Sequence, residues 1–333
     1  MKIGLDIGYG NTKVVYANGS GPLTVKQFRS VVGTKGDIGA TMESGFKNEI
    51  LSVDIDGETY FLGATAEQHS SRQLNERDKG WITTPAYKAL VKYALLEATG
   101  GREIKGHNQI VTGLPVKYFN TDCGKIEKVI KDVASGIGLE AEVESVYQPF
   151  GTYMNMILDT NGQVFNLNSS DVTGRLGILD IGFYTADLIT IEKRQVTKDL
   201  SLSIESGIST ALVAIQKDIL ESDEFGQRQT SLYEIENAIR NRYLIKVFGK
   251  DVSIRDVAEK RLKELVAELS SKARNVWHNG ADFEKIVISG GGAEMLSHLW
   301  KLYPHAFVMQ EAGQANATGY CKYATRKSMR ASA

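Results

Sequence analysis

A chain of 333 residues, 42% apolar and 24% charged, has room for two ordinary domains and the composition of a globular protein rather than a disordered one. Its net charge of −1 supplies no global field toward nucleic acid or an anionic membrane. Two cysteines, Cys123 and Cys321, make no disulfide framework and, without a CxxC or Cys/His cluster, no zinc module; isolated thiols suit a reducing cytosol.

Residues 2–7 and 12–17 are apolar runs on either side of a glycine turn and predict a β-hairpin that begins almost at Met1. Asp6 breaks the first run, so it does not read as a signal peptide, and no run approaches the roughly 18 apolar residues of a membrane helix. The expectation is a soluble, cytoplasmic protein. Asp56-Gly57, between β-prone runs over 53–61, is a two-residue hairpin signal. Residues 64–84 are polar and mixed and read as an extended surface excursion. Thr84 then caps, and Pro85 opens, a helix whose Tyr87, Leu90, Val91, Ala94 and Leu95 recur at helical spacing. Residues 109–114 read as a buried strand and 125–133 as an amphipathic helix. An alternating strand over 141–147 is stopped by Gln148-Pro149, and 153–158 suggest a helix. Residues 159–174, rich in Asn, Ser, Thr and Gly, read as the linker between halves.

A second hairpin is predicted over 177–192. A helix runs from Ser206-Gly207 through Ile219, and another from a Ser231/Glu234 capping box to about Tyr243. Ser253 begins a long helix to about Trp277. A short apolar strand over 285–289 leads through Gly290-Gly291-Gly292 into a helix over 293–302. Residues 326–333 read as a basic, small-residue tail. Strands alternating with helices, with a hairpin opening each half, argue an α/β fold with mixed sheets.

The two hairpins share one text. Leu5-Asp6-Ile7-Gly8-Tyr9-Gly10-Asn11-Thr12-Lys13-Val14 is matched by Leu179-Asp180-Ile181-Gly182-Phe183-Tyr184-Thr185-Ala186-Asp187-Leu188. In each, an apolar run ends in Asp, a Gly and a tight turn follow, and a second apolar run leaves. A glycine without a Cβ lets backbone N–H groups approach an anion closely, and an Asp carboxylate can hold a hydrated Mg²⁺. One copy alone is a cheap string; two copies half a chain apart suggest two similar domains, each offering a hairpin to a shared cleft. Lys13 can place an ammonium on β- or γ-phosphate oxygens, although a solvent-facing strand lysine is the commoner fate. Asp180 can hold metal-bound water or take its proton, and Asp187 reads as a polar strand residue. Strand–Gly-Gly-Gly–helix over 286–293 offers helix N–H groups as an anion or nucleotide seat and bare backbone for a planar base; its plain reading is a tight turn without a ligand. Gln148 cannot be a strong base, but its amide can orient an attacking water. No Walker A motif, ligand-spaced histidine set or Ser–His–Asp arrangement occurs.

These three stretches, Asp6 to Lys13, Asp180 to Asp187 and Ser289 to Ala293, resemble in order and spacing the phosphate-1, phosphate-2 and adenosine motifs of the ATPases that include actin, the heat-shock chaperones and sugar kinases. The finer resemblance is to bacterial and archaeal actin-like proteins of the plasmid-segregation (ParM/StbA) type, through Glu205-Ser206-Gly207-Ile208-Ser209 and through Gln314 to Tyr320, which looks like their closing helix. The resemblance implies an actin-like α/β fold: two RNase H-like domains, mixed β-sheets flanked by helices, around a nucleotide cleft. Domain I would span 1–160, with a closing helix over about 314–325 packed back on it, and domain II 175–313. Asp6 and Asp180 would hold the water shell of Mg²⁺. Gly8, Gly10, Asn11, Thr12, Lys13, Gly182, Tyr184 and Thr185 would surround the phosphates of ATP or GTP. Lys217 and Asp218 fall near the ribose-contacting positions, and Gly290, Gly291 and Gly292 would flank the nucleoside. Gln148 and Asp180 would be the catalytic residues; Gln148 falls where actin has its water-positioning glutamine and many ParM relatives have Glu. Phe183-Tyr184 is bulkier than the Gly-Thr or Gly-Gly usual in the second loop.

The implied activity is a filament-coupled ATP hydrolase. Mg·ATP would favour a closed cleft and head-to-tail stacking of monomers. A DNA-binding adaptor would link the filament to plasmid DNA, so DNA is an indirect partner and the membrane none. A small-molecule kinase of the same superfamily is the competing reading, with Asp180 taking a hydroxyl proton. A chaperone ATPase is a third, but the chain ends where a peptide-binding domain would begin.

Overall fold

The structure is a computed structural model that describes residues 1–17, 21–36, 50–74, 80–165, 167, 169–297 and 303–331. It divides into two compact units, Met1–Phe165 with Asn316–Ala333, and Asn166–Ala315. The first unit contains β1 (Lys2–Ile7), β2 (Asn11–Ala17), β3 (Thr24–Arg29), β4 (Val32–Lys35), β5 (Ser52–Ile55), β6 (Glu58–Leu62), β7 (Ser70–Gln73), β8 (Asn108–Leu114) and β9 (Ala141–Tyr147). Its main sheet has the order β3-β2-β1-β8-β9. β2 is antiparallel to both β1 and β3, while β8 is parallel to both β1 and β9. A smaller antiparallel sheet has the order β5-β6-β4-β7.

The second unit contains β10 (Arg175–Ile181), β11 (Ala186–Glu192), β12 (Gln195–Ile204), β13 (Leu244–Val247), β14 (Lys250–Ser253), β15 (Lys285–Ser289) and β16 (Ala306–Val308). Its sheet runs β12-β11-β10-β15-β16, again three antiparallel strands followed by two parallel ones. Each sheet thus repeats the same plan, with the Asp-bearing strand at its centre. That position explains why β1 and β10 read as almost unbroken apolar runs: both faces are covered.

The covering helices follow from local signals. The Thr84 hydroxyl accepts the Tyr87 N–H at 3.2 Å, and helix Pro85–Thr99 ends at left-handed Gly100. It packs with helix Phe119–Ser135 on one face of the first sheet, where Ile3, Leu5, Val14, Val91, Ile126 and Ile130 form a core. Helix Ala315–Ala331 takes the other face, with Ala317 and Cys321 against Val15, and Tyr320 and Ala324 against Val111. This contact demands bare backbone: a Cβ on Gly4 would lie 2.0 Å from the Ala317 carbonyl oxygen. In the second unit, helices Ile208–Glu221 and Arg255–Trp277 build the core with Leu179, Leu188 and Ile288.

Several segments differ from expectation. Residues 64–84 are not an extended excursion: helix Gly63–His69, strand β7 and a 3₁₀ turn at Trp81–Thr83 occupy the described part, because β7 pairs with β4 and Thr65 and Ala66 are buried. Residues 75–79 lie outside the described residues. β3 and β12 carry many exposed polar residues and have no apolar run to mark them. The linker contains a bridge between Leu158 and Val164 and a short helix, Ser170–Thr173. The helix after Gln148-Pro149 begins at Phe150. The described helix after the triple glycine is Ala293–Leu296, and 298–302 lie outside the described residues. The basic tail is helical through Ala331; Lys327 is paired with Glu144, and Arg326 donates to the Gly162 carbonyl at 3.0 Å.

Candidate functional site

In the first unit the hairpin register sets Asp6 opposite Lys13 and Ile7 opposite Thr12. The turn between them is closed by the Gly8 N–H, which donates to the Asn11 carbonyl oxygen at 3.2 Å. Asp6 is 4% exposed and Lys13 8%, so Lys13 is not the solvent-facing lysine that strand statistics favour. Its ammonium lies 3.3 Å from Asp6 Oδ2, and Gln148 Nε2 donates to Asp6 Oδ1 at 3.2 Å. The carboxylate therefore has one donor on each oxygen, the arrangement a buried anion requires. Gln148 is itself fixed at its backbone: its N–H donates to Leu114, and its carbonyl accepts the Tyr320 hydroxyl at 2.7 Å. Gly10 accepts the Ser30 N–H at 3.1 Å, and the Thr12 hydroxyl bonds that of Ser30 at 2.9 Å. Thr12 is thus tied inside the protein. The Tyr9 ring stacks on Trp81 at 4.3 Å, and Trp81 meets buried Tyr87 edge-on. Burial, and then the charge of Asp6, push the Tyr87 phenol far above its ordinary value, so it stays a neutral hydroxyl.

In the second unit the same register sets Asp180 opposite Asp187, and the Gly182 N–H donates to the Thr185 carbonyl oxygen at 2.8 Å. Asp180 is 4% exposed. Asp187 is buried and accepts the Ser203 hydroxyl, so the position that carries Lys13 in the first hairpin carries an internally bonded acid here. Helix Ile208–Glu221 begins on the turn: the Ile208 and Ser209 N–H groups donate to the Gly182 and Phe183 carbonyls at 3.1 and 2.8 Å. A Cβ on Gly207 would lie 2.6 Å from the Phe183 oxygen, which explains the glycine before that helix. Phe183 and Tyr184 pack against one another edge to face at 4.8 Å.

The triple glycine meets this hairpin, because β10 and β15 are in parallel register with Asp180 opposite Ser289. Gly290 has φ +90°, and a Cβ there would stand 2.2 Å from Asp180 Oδ1. The free helix N–H groups expected here are mostly spent: Gly290 donates to Ala312, Gly292 to Ile181, and Ala293 back to Gly290. Gly291 differs from its neighbours. A Cβ on it would meet nothing within 4 Å, and its N–H is the donor of this turn without a partner among the described residues.

Lys217 and Asp218 do not join this group. Asp218 takes a bidentate bridge from Arg261, 2.7 Å to each oxygen, which holds its carboxyl below the ordinary range. Lys217 is 70% exposed at its side chain and faces Glu221. The charged residue that reaches the glycines is one the sequence did not single out, Arg240, whose Nη2 donates to the Gly291 carbonyl at 2.6 Å. Its only sequence signal is the Glu236/Arg240 spacing on a helix, which resembles any solvated ion pair. Among the described residues no three His, Cys, Asp or Glu side chains cluster as a metal site. Taken hairpin by hairpin, Asp6 and Asp180 each present a buried carboxylate at the end of a strand, the hard oxygen ligand type that a hydrated Mg²⁺ takes.

Residues 4–151 match the family model "Actin like proteins N terminal domain", and residues 178–301 match "Archaeal actin homologue MreB-like, C-terminal". No curated protein matches the chain. Among solved structures, the archaeal actin homologue Ta0583 is similar with a TM-score of 0.73 at 20% identity, over 98% of this chain and 100% of that one. A ParM from a 15-stranded Clostridium botulinum filament gives 0.75 at 20% identity, over 97% and 98%. Bacillus thuringiensis ParM with AMPPNP gives 0.66 at 15% identity, over 99% of each. With one actin-like model on each half and the same sheet plan repeated in both units, the chain has the actin-like fold and belongs to the actin-like proteins.

Proposed function

We propose that this protein is an ATPase that polymerises in a nucleotide-dependent way and serves plasmid DNA segregation through a DNA-binding adaptor. The observation that carries the reading is the repeated hairpin, with a buried Asp at its edge and a glycine turn at its tip. Relatives of the same fold support it: one is described as a filament, and others with ADP or AMPPNP. Asp6 and Asp180 would hold Mg²⁺ through water, and the metal when bound would offset phosphate charge. Lys13, Gly8, Gly10, Asn11 and Thr12 on one hairpin, and Gly182, Tyr184 and Thr185 on the other, would surround the phosphates. Gln148 orients the attacking water, with its amide already anchored on Asp6. Asp180 takes a proton from that water. Lys217 and Asp218 would stand toward the ribose, Asp218 already bridged by Arg261 at both oxygens. A head-to-tail contact does not close on itself and so propagates as a filament. Nucleotide drives assembly only by binding the polymerising conformation more tightly, and loss of the γ-phosphate weakens that conformation.

Sedimentation and light scattering with Mg·ATP test this. Polymer should appear above a threshold protein concentration and disappear after phosphate release. Monomer at every concentration, with ATP turnover stimulated only by a small metabolite, would instead mark a kinase.

A further inference from the structure

Arg240 ends helix Leu232–Arg240 and makes four polar contacts among the described residues. Its Nε and Nη2 each lie 3.0 Å from Glu236 Oε1, its Nη1 3.3 Å from Glu294 Oε2, and its Nη2 2.6 Å from the Gly291 carbonyl oxygen. The peptide between Gly291 and Gly292 is thereby fixed at both ends, because the Gly292 N–H donates to Ile181 at 2.9 Å. What remains available is the Gly291 N–H, on a glycine with open space where a Cβ would project. The surrounding charge decides what suits it. One guanidinium faces two carboxylates, a local formal charge of −1, which repels phosphate and tolerates a neutral group rich in acceptors.

We propose that Arg240 is a positioning residue for the nucleoside end of the ligand: it clamps the Gly291–Gly292 peptide so that the Gly291 N–H receives an acceptor atom of the base or ribose. This deepens the nucleotide-binding reading and rests on it. Glu236, buried beneath the guanidinium, sets the side chain's direction, and Glu294 steadies its outer edge. Arg240 supplies geometry rather than charge, which is why lysine does not replace it: an ammonium cannot fork onto Glu236 while reaching Gly291.

Titration of the full chain with adenosine, ADP and tripolyphosphate, each with Mg²⁺, tests the proposal. Arg240→Ala should weaken adenosine and ADP about tenfold, the value of one charge-assisted hydrogen bond, and leave tripolyphosphate unchanged. Arg240→Lys should recover only part of the adenosine affinity. Gly291→Ala, which meets no protein atom, should keep the wild-type melting temperature and lose adenosine affinity. Unchanged ADP binding by Arg240→Ala, equal loss of tripolyphosphate, or adenosine binding unaffected by Gly291→Ala would each overturn it. If the wild-type chain binds neither ADP nor tripolyphosphate, the nucleotide reading falls as well, so the two failures are distinguishable.

Discussion

Gln148 and Lys13 converge on the same carboxylate, and their removal should have different consequences. Gln148→Ala leaves Asp6 with its lysine; hydrolysis should slow by about 10²-fold while nucleotide affinity holds, as a phosphate-release assay alongside a binding titration will show. An unchanged rate would make Gln148 only a strand-end polar residue. Lys13→Ala strands a buried carboxylate and should cost about 3–5 kcal/mol of stability, read by denaturant unfolding. Asp218 gives a third, pH-dependent outcome. Its folded pKa is depressed below the ordinary 3.8 by the Arg261 hydrogen bonds. Its stabilisation is therefore fully present above 3.8 and is lost as pH falls through the lower folded value. Asp218→Asn should reduce stability at neutral pH and flatten the acid limb of a stability-versus-pH curve.

At the scale of elements, glycines two residues apart or fewer carry different constraints. Gly290 is fixed by its left-handed φ and by the Asp180 carboxylate against it, so Gly290→Ala should displace the turn and lower the melting temperature. Gly291→Ala should not. Capping gives a smaller, independent figure: Thr84→Ala removes the acceptor of the Tyr87 N–H and should cost about 1 kcal/mol by chemical denaturation. Elements with local punctuation were legible in the sequence. The Thr84-Pro85 start, the Ser231/Glu234 box with its 3.1 Å bond, and the Asp56-Gly57 turn, both residues at positive φ, all stand where their residues indicate. β3, β12 and the β13–β14 hairpin were not legible, because edge strands with one wet face lack an apolar run, and Phe248-Gly249 is an unusual pair for a tight turn.

For the whole molecule, assembly and hydrolysis should separate in one variant. Asp180→Ala is expected to impair hydrolysis more than nucleotide binding, so its polymers should outlast wild-type polymers in a scattering time course. Loss of ATP binding together with loss of polymer would remove Asp180 from the catalytic role. Among the described residues no helix is long and apolar enough to cross a membrane.

The sequence by itself determined the two hairpins, since each is a local register fixed by apolar alternation and a glycine turn, and it determined that they are two versions of one motif. Tertiary structure decided which distant groups complete them. Gln148 reaches Asp6 only because β9 joins the sheet beside β8, and Arg240 reaches Gly291 only because a separate helix ends beside the loop after β15. Asp218, placed near the ribose by resemblance, goes to Arg261 because helices Ile208–Glu221 and Arg255–Trp277 pack together. Periodicity and capping act over a few residues and are written in order along the chain. Which carboxylate meets which guanidinium depends on how elements far apart in that order are packed, and no local pattern encodes it.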